Sequence, residues 1–313
     1  MVSLKSPPTI NPIEPSRVRE LWRKLVVENP MTIEITRFRR HFLEGGRGKS
    51  VNSMILVVAI IAYAGLLLVI ANVSGDFPPV GLIFIQTGVF ALLAPAIAYS
   101  SIAGERERRS WDLLLAAPIT HAQIVMGKFL ACLAGLATAF GLFLVPTLFT
   151  ALTYRGISSG SYYDYVSPQA QGALPGWRAL IEQELVSITF GMAVIAFTLF
   201  FSARCRRSLM ALGVTLTSLF LGLLAIPSLL MAVGENDGRD LLLTFHPMFA
   251  INRIEEYQQS WTARSFDPLG PSWYGVPQIL LNLGITAMFL FWAHKTVNFA
   301  DGDKKFIPVK PSA

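Results

Sequence analysis

The sequence predicts an all-α integral membrane protein, with six transmembrane helices preceded by a basic amphipathic interfacial helix and both termini in the cytoplasm. Three observations lead there. Of 313 residues, 53% are hydrophobic and only 15% charged, against about 25% charged in a water-soluble domain, and mean hydropathy is +0.50. Uncharged windows run over 50–75, 77–104, 129–154, 185–203, 208–234 and 268–294. Each approaches or exceeds the about 20 apolar residues that cross a bilayer core, where one central charge costs roughly 2.5–3.5 kcal/mol. Finally, 21 of the 26 Lys and Arg fall in segments 1–50, 104–128, 204–207 and 295–313. Cytoplasmic loops carry such an excess, so both ends lie in the cytoplasm and the span number is even.

In chain order, residues 1–50 form a cytoplasmic segment, 51–298 the membrane domain and 299–313 a cytoplasmic tail. No cleavable signal is visible, because the first apolar run is too long for one. In the N-terminal segment Val18, Leu21, Trp22, Leu25 and Val26 recur at helical spacing among Arg19, Arg23 and Lys24. Asn29 and Pro30 then suit an N-cap and first helical position. A second stripe follows, Met31, Ile35, Phe38 and Phe42, with Arg37, Arg39 and Arg40 off it. Basic amphipathic helices of this kind lie in the membrane interface with the apolar side down. Gly48-Lys49-Ser50 matches the end of a phosphate-binding loop, but Leu43 stands where that motif needs glycine and a membrane span follows.

The spans are expected near 52–72, 80–103, 129–152, 181–203, 208–232 and 276–294. Pro95, Pro146 and Pro227 fall inside the second, third and fifth, where neighbouring groups can serve the carbonyls a proline frees. Ala131, Gly135 and Ala139 put small residues on one side of span three, permitting close approach within the chain or between subunits. Span four opens with Glu182 and Glu184, read as solvated charges at the membrane edge. The loop 153–178 carries Tyr154, Tyr162, Tyr163, Tyr165 and Trp177, suited to an aromatic belt. The stretch 241–257 is too short and charged to span and reads as a re-entrant or interfacial helix pair.

Several chemistries find no support. His41, His121, His246 and His294 lie in four segments without metal-ligand spacing. No serine–histidine arrangement suits an intramembrane protease, no carboxylate sits at a span centre as a proton relay requires, and no polar cluster is evident on facing spans. Cys132 and Cys205, one in a span and one in a cytoplasmic turn, are not expected to pair. The basic pI near 9.4 follows from topology, so nucleic acid is not expected as a partner.

The most informative segment is cytoplasmic, GERERRSWDLLLAAPITHAQIVMGK over 104–128. A charged head, Glu105, Arg106, Glu107, Arg108 and Arg109, meets an apolar run, Trp111, Leu113, Leu114 and Leu115, expected to be exposed. Pro118 ends the run and Thr120 suits an N-cap for the next helix. An apolar helix outside the bilayer lies on lipid or enters a groove on another protein.

This segment resembles the loop after the second span of the type-2 ABC transporter permease family, membrane subunits of many ABC exporters. The resemblance rests on Gly104 to Glu107, Leu113 to Leu115, Pro118 to Thr120 and Gly127-Lys128. The entry helix over 29–40, the six-span layout and the extended loop before span six also fit. One departure is that Arg108 to Trp111 stand where the family commonly carries a glycine-containing stretch. The resemblance implies a permease subunit, in the inner (plasma) membrane, that forms the translocation path of an exporter. It would have no ATPase site or cofactor of its own, ATP and magnesium belonging to a separate ATP-binding cassette subunit. That subunit would dock on residues 104–119 through Glu105, Arg106, Glu107, Arg108, Trp111, Leu113, Leu114, Leu115 and Pro118. A second permease chain, in a homodimer or heterodimer, and membrane lipid complete the implied partners. The competing reading is a non-transporting scaffold or assembly factor that docks a cytoplasmic partner through the same loop.

Overall fold

The computed structural model describes residues 17–32, 79–111, 114, 118–153, 177–232, 243, 246–264 and 275–302. Among them the chain is helical, with no strand, and five helices are long and apolar enough to cross a membrane. The expected first span, 52–72, lies outside the described residues, as do Ile35, Phe38, Phe42, Leu113, Leu115 and the tyrosines of the 153–178 loop.

Helix α1 (Arg17–Trp22) runs through a π turn (Arg23–Val27) into a 3-10 turn (Pro30–Thr32). Then come α2 (Pro79–Ala98), the short α3 (Ala103–Glu107), α4 (His121–Thr153) and α5 (Trp177–Arg204). Helix α6 (Ser208–Phe220) passes through a second π turn (Leu221–Ala225) into α7 (Ile226–Ala232). Helices α8 (Pro247–Arg264) and α9 (Gly275–Gly302) complete the set. Of the expected helix pair in the 241–257 stretch, α8 is described, together with Leu243 as a helical residue before it.

Helix α5 is the hub: 67% of its span is buried within the chain, against 11% for the α6–α7 span. Its sequence explains this. Gly191, Ala193, Ala196 and Ala203 keep its surface narrow, so α2, α4 and α9 approach on different sides. At Gly191 the approach is closest, since a Cβ there would stand 2.7 Å from Leu136 Cδ2 of α4 and 3.3 Å from Phe90 Cδ2 of α2. The middle of the bundle packs Phe90, Ala94, Phe129, Cys132, Leu136, Phe190, Ile195 and Leu199 together. Edge-to-face contact of Phe197 with Phe289, centroids 4.9 Å apart, joins α5 to α9. Ala131 and Gly135 are buried inside the chain and Ala139 packs on the central cluster, so this small-residue stripe lies within the protomer.

The two ends of the bundle differ. At one end α8 lays Ala250, Ile251 and Ile254 on Val80 and Ile83 of α2, Ala151 of α4 and Leu180 and Val186 of α5. At the other, α3 and the residues after it close over α4, α5 and α9. With 33 residues, α4 is about 50 Å long, longer than a bilayer core, and its first turns lie at the α3 end. There the entry segment docks. Asn29 Nδ2 donates to Leu25 O and Gln123 O, both at 2.9 Å, and Asn29 Oδ1 accepts from Met31 N–H at 3.0 Å, which caps the 3-10 turn. Met31 was expected to face lipid, but it is buried at 5% exposure against Gly127, where a Cβ would collide with its side chain. The apolar side chain finds a protein surface because glycine leaves a notch in α4. Trp22 and Val27 remain exposed.

Candidate functional site

The expected docking segment is built onto the bundle by its own charged residues. After α2 the chain turns through residues 99–102 and re-enters helix as α3. The fold at this break is held from α5: Ser202 Oγ donates to Tyr99 O at 2.8 Å and accepts the Ile102 and Ala103 amides at 3.1 and 3.0 Å. A helix start leaves its first amides without intrahelical partners, and here a hydroxyl a hundred residues away supplies the acceptor.

Each charged residue of α3 then reaches a different element. Glu105 forms an ion pair with Lys128 of α4, whose side chain is 6% exposed. Arg106 donates through Nη1 to Ala203 O of α5, and its guanidinium lies 5.2 Å from the centre of the Trp111 ring. Glu107 accepts from the Ser208 amide and hydroxyl, both at 2.8 Å. A carboxylate at the first residue of α6 answers both the orphan amide and the helix dipole. Thus Gly104-Glu105 and Gly127-Lys128, the two ends of the segment singled out in the sequence, meet in one ion pair.

Trp111 was expected to be exposed and is not. It is 7% exposed, packed with Ile102, Ile124, Val125, Ala203, Ala293 and Val297, and Leu114 is half-buried on the same cluster. The reason is geometric: α4, α5 and α9 together offer an apolar surface at this end, and the loop folds onto it instead of standing free. Of the expected docking residues and their neighbours, Glu107, Arg108, Arg109 and Pro118 are exposed, and Glu107 is bonded to Ser208. Arg109 has φ 57°, a left-handed backbone in the stretch where the sequence carries no glycine. Thr120 and Gln123 form a capping box at the start of α4: Thr120 N–H reaches Gln123 Oε1 at 3.0 Å and Gln123 N–H reaches Thr120 Oγ1 at 3.3 Å.

A second polar constellation, unexpected from the sequence, lies toward the α8 end. Glu182, Gln183 and Glu184 are consecutive on α5 and all buried, at 7%, 2% and 6% exposure. They are not solvated edge charges, because α5 is enclosed on successive sides. Glu182 Oε1 accepts the Gly275 amide at the start of α9 at 2.7 Å, Gln183 donates to Glu255 of α8 at 3.1 Å, and Glu184 accepts from Gln86 of α2 at 2.6 Å. Gln86 and Thr87 also meet Ser187, at 3.2 and 2.9 Å. Facing spans therefore do carry a polar cluster, contrary to the sequence reading. Its residues bond chiefly to one another, which fixes how the helices pack.

His246 precedes α8, and its Nε2 lies 3.1 Å from the Leu223 carbonyl. That carbonyl is four residues before Pro227, which has no amide proton to offer it. Since a carbonyl only accepts, Nε2 carries the proton. Burial pushes the imidazole pKa below its ordinary value, which favours the neutral ring.

Among the described residues no group of three or more His, Cys, Asp or Glu could hold a metal ion. Cys132 and Cys205 are both buried and not disulfide-bonded, and Cys132 Sγ lies 3.4 Å from Ser101 Oγ. A sequence model of the family described as ABC-2 family transporter protein matches residues 45–266, taking in the 104–128 segment and the buried carboxylates. No curated protein matches the chain.

Proposed function

Since the chain belongs to the ABC-2 family of transporter proteins, a multi-pass membrane permease component, we propose that it is coupled through residues 104–119 to a separate ATP-binding subunit. The reading is supported most by how α3 is attached. Four side chains tie this five-residue helix to three spans: Lys128 to α4, Ser202 and Arg106 to α5, and Glu107 to α6. A push on α3 therefore reaches the bundle through hydrogen bonds and ion pairs, not through a flexible loop.

The division of labour follows from exposure. Glu105, Arg106 and Trp111 act inward and hold the segment to the spans, while Arg108, Arg109 and Pro118 face out and offer the contact surface. Two guanidinium groups outside the bilayer suit carboxylates on a partner. Coupling requires that the partner bind the two states of the loop differently. Nucleotide-driven closure of two ATP-binding subunits would alter that contact and tilt α2 and α5 with α3. Two permease chains would then enclose the path, and ATP and magnesium would reside on the partner. Export is the direction proposed by resemblance to type-2 permeases, with both termini cytoplasmic in an inner (plasma) membrane.

The test is capture of candidate ATP-binding subunits on the tagged full chain, wild type against Arg108→Glu/Arg109→Glu. The proposal expects an ATPase to co-purify with the wild type and to be lost from the double variant. A chain that captures none, or holds the ATPase equally after both reversals, overturns docking through this surface. Ser202→Ala should keep the ATPase bound but separate hydrolysis from substrate movement.

A further inference from the structure

A cavity of about 430 Å³ lies between α5, the α6–α7 span and α9, away from the α3 end. Its walls are apolar side chains such as Phe190, Phe197, Leu223, Leu230 and Phe289, and its polar groups gather around His246, Gln278 and Asn282. The cavity lies beside an irregular stretch of the α6–α7 span, where Gly222, Leu223, Ile226 and Pro227 line it. The π turn Leu221–Ala225 and Pro227 break its regular ladder, and Gly222 adds no side chain, with no atom within 4 Å of where its Cβ would stand.

The polar end has a determinate sense. Thr189 Oγ1 donates to Leu185 O at 2.7 Å, so its oxygen receives Asn282 Nδ2 at 3.2 Å. Asn282 must then present Oδ1 to Gln278, whose Nε2 donates to it at 3.1 Å. Gln278 is 2% exposed, and the chain of donors ends at its Oε1, a buried acceptor with no partner among the described residues. His246 adds another. With Nε2 donating to Leu223 O, Nδ1 is left as an acceptor, also buried and without a partner among the described residues. Two buried acceptors that receive no donor from the described residues call for a ligand that brings donors. Leaving a buried acceptor unmade is unfavourable, which is the drive to take one up.

We propose that this cavity binds a single-chain amphiphile whose head carries hydrogen-bond donors, hydroxyl or amine, for Gln278 Oε1 and His246 Nδ1, with its alkyl chain along Phe190, Phe197, Leu223 and Phe289. The volume sits at the low end of small-molecule sites, about 300–1,000 Å³, which suits one chain and not a two-chain lipid. The carboxylates do not contribute here, since neither Glu182 nor Glu184 lines the cavity. The site is separate from residues 104–119, and its occupancy does not depend on an ATP-binding partner.

The experiment uses the full chain in lipid nanodiscs and a medium-chain monoacylglycerol bearing a diazirine in its chain. After illumination, labelled peptides are mapped by mass spectrometry. Label is expected on peptides covering 218–230 and 278–289, displaced by unlabelled monoacylglycerol about tenfold more effectively than by the fatty acid methyl ester of the same length, which has no donor. Gly222→Leu fills the space and should abolish this label, and Gln278→Leu should weaken it about tenfold. Melting curves of both variants must match the wild type. Equal displacement by the methyl ester overturns recognition of the head, whatever the variants do. Label that survives Gly222→Leu means partition into the surrounding lipid and overturns the site. Label that appears only in monomeric nanodiscs assigns the cavity to side chains of a second copy and also overturns it.

Discussion

Removing one hydroxyl should tell whether the α2–α3 break is held from α5. In Ser202→Ala the Ile102 and Ala103 amides and the Tyr99 carbonyl lose the oxygen that serves all three, at 3.1, 3.0 and 2.8 Å. Ile102, Ala103 and Ser202 are each fully buried, so bulk water does not replace it. An unmade buried hydrogen-bonding group costs about 1–3 kcal/mol. Three groups lose one partner each, and relaxation of the turn recovers part of the loss, so about 3 kcal/mol is expected. Thr138→Ala is the matched control: an exposed hydroxyl on α4 bonded only to the carbonyl one turn back should change stability by under about 0.5 kcal/mol. The assay is reversible unfolding of the purified chain in mixed micelles of increasing denaturing detergent. Hydrogen exchange over 99–107 supplies the local readout, expected to quicken in Ser202→Ala alone. A loss below about 0.5 kcal/mol with unchanged exchange would refute the reasoning, because the turn would then be held by chain geometry and not by this side chain.

Three further outcomes can be checked with the same preparations. Arg109→Gly removes a left-handed conformation from a residue with a Cβ and should stabilise the chain by about 1 kcal/mol, read as a shift in the unfolding midpoint; destabilisation would mean the Arg109 side chain contributes more than its backbone costs. Gly191→Ala drives a Cβ toward Leu136 and Phe90 and should cost about 1–3 kcal/mol by overpacking; Leu136→Ala in the same chain should be less than additive, and strict additivity would place the strain elsewhere. His246 is half-buried, and partial desolvation holds its pKa below the ordinary value, so the unfolded chain takes up the proton first. Its contribution is complete above about pH 6.5 and declines as pH falls toward the folded pKa, so stability measured at falling pH should drop less steeply in His246→Gln than in the wild type.

Much of the candidate coupling segment was legible because its chemistry is local. Thr120 and Gln123 stand at capping-box spacing, and the box forms. Asn29 and Pro30 read as a helix start, and Asn29 caps Met31. The spans could be placed because charge is excluded from long apolar windows, which requires no knowledge of the neighbours. Trp111 and Met31 show where that reasoning stops. Each is apolar and flanked by charges, a pattern common to a residue facing lipid, facing a partner or buried in the chain. The choice depended on whether neighbouring helices offered a surface, as α4, α5 and α9 do to Trp111 and Gly127 does to Met31.

By itself, the amino-acid sequence determined that this chain lives in a membrane, where five of its spans run, and that residues 104–128 are unlike the other connections. Composition and period carry that information, since a bilayer imposes the same demand on every helix. Tertiary structure alone decided the pairings. Ser202 with the 99–103 turn, Lys128 with Glu105, Glu107 with Ser208, and Gln86 with Glu184 join residues far apart in sequence. So too His246 meets the Leu223 carbonyl, four residues before Pro227, and Gln278 faces a cavity between three helices. Each such contact depends on the distance and rotation between two helices, set by how small residues on α5 let its neighbours close in, and nothing along a single helix records it.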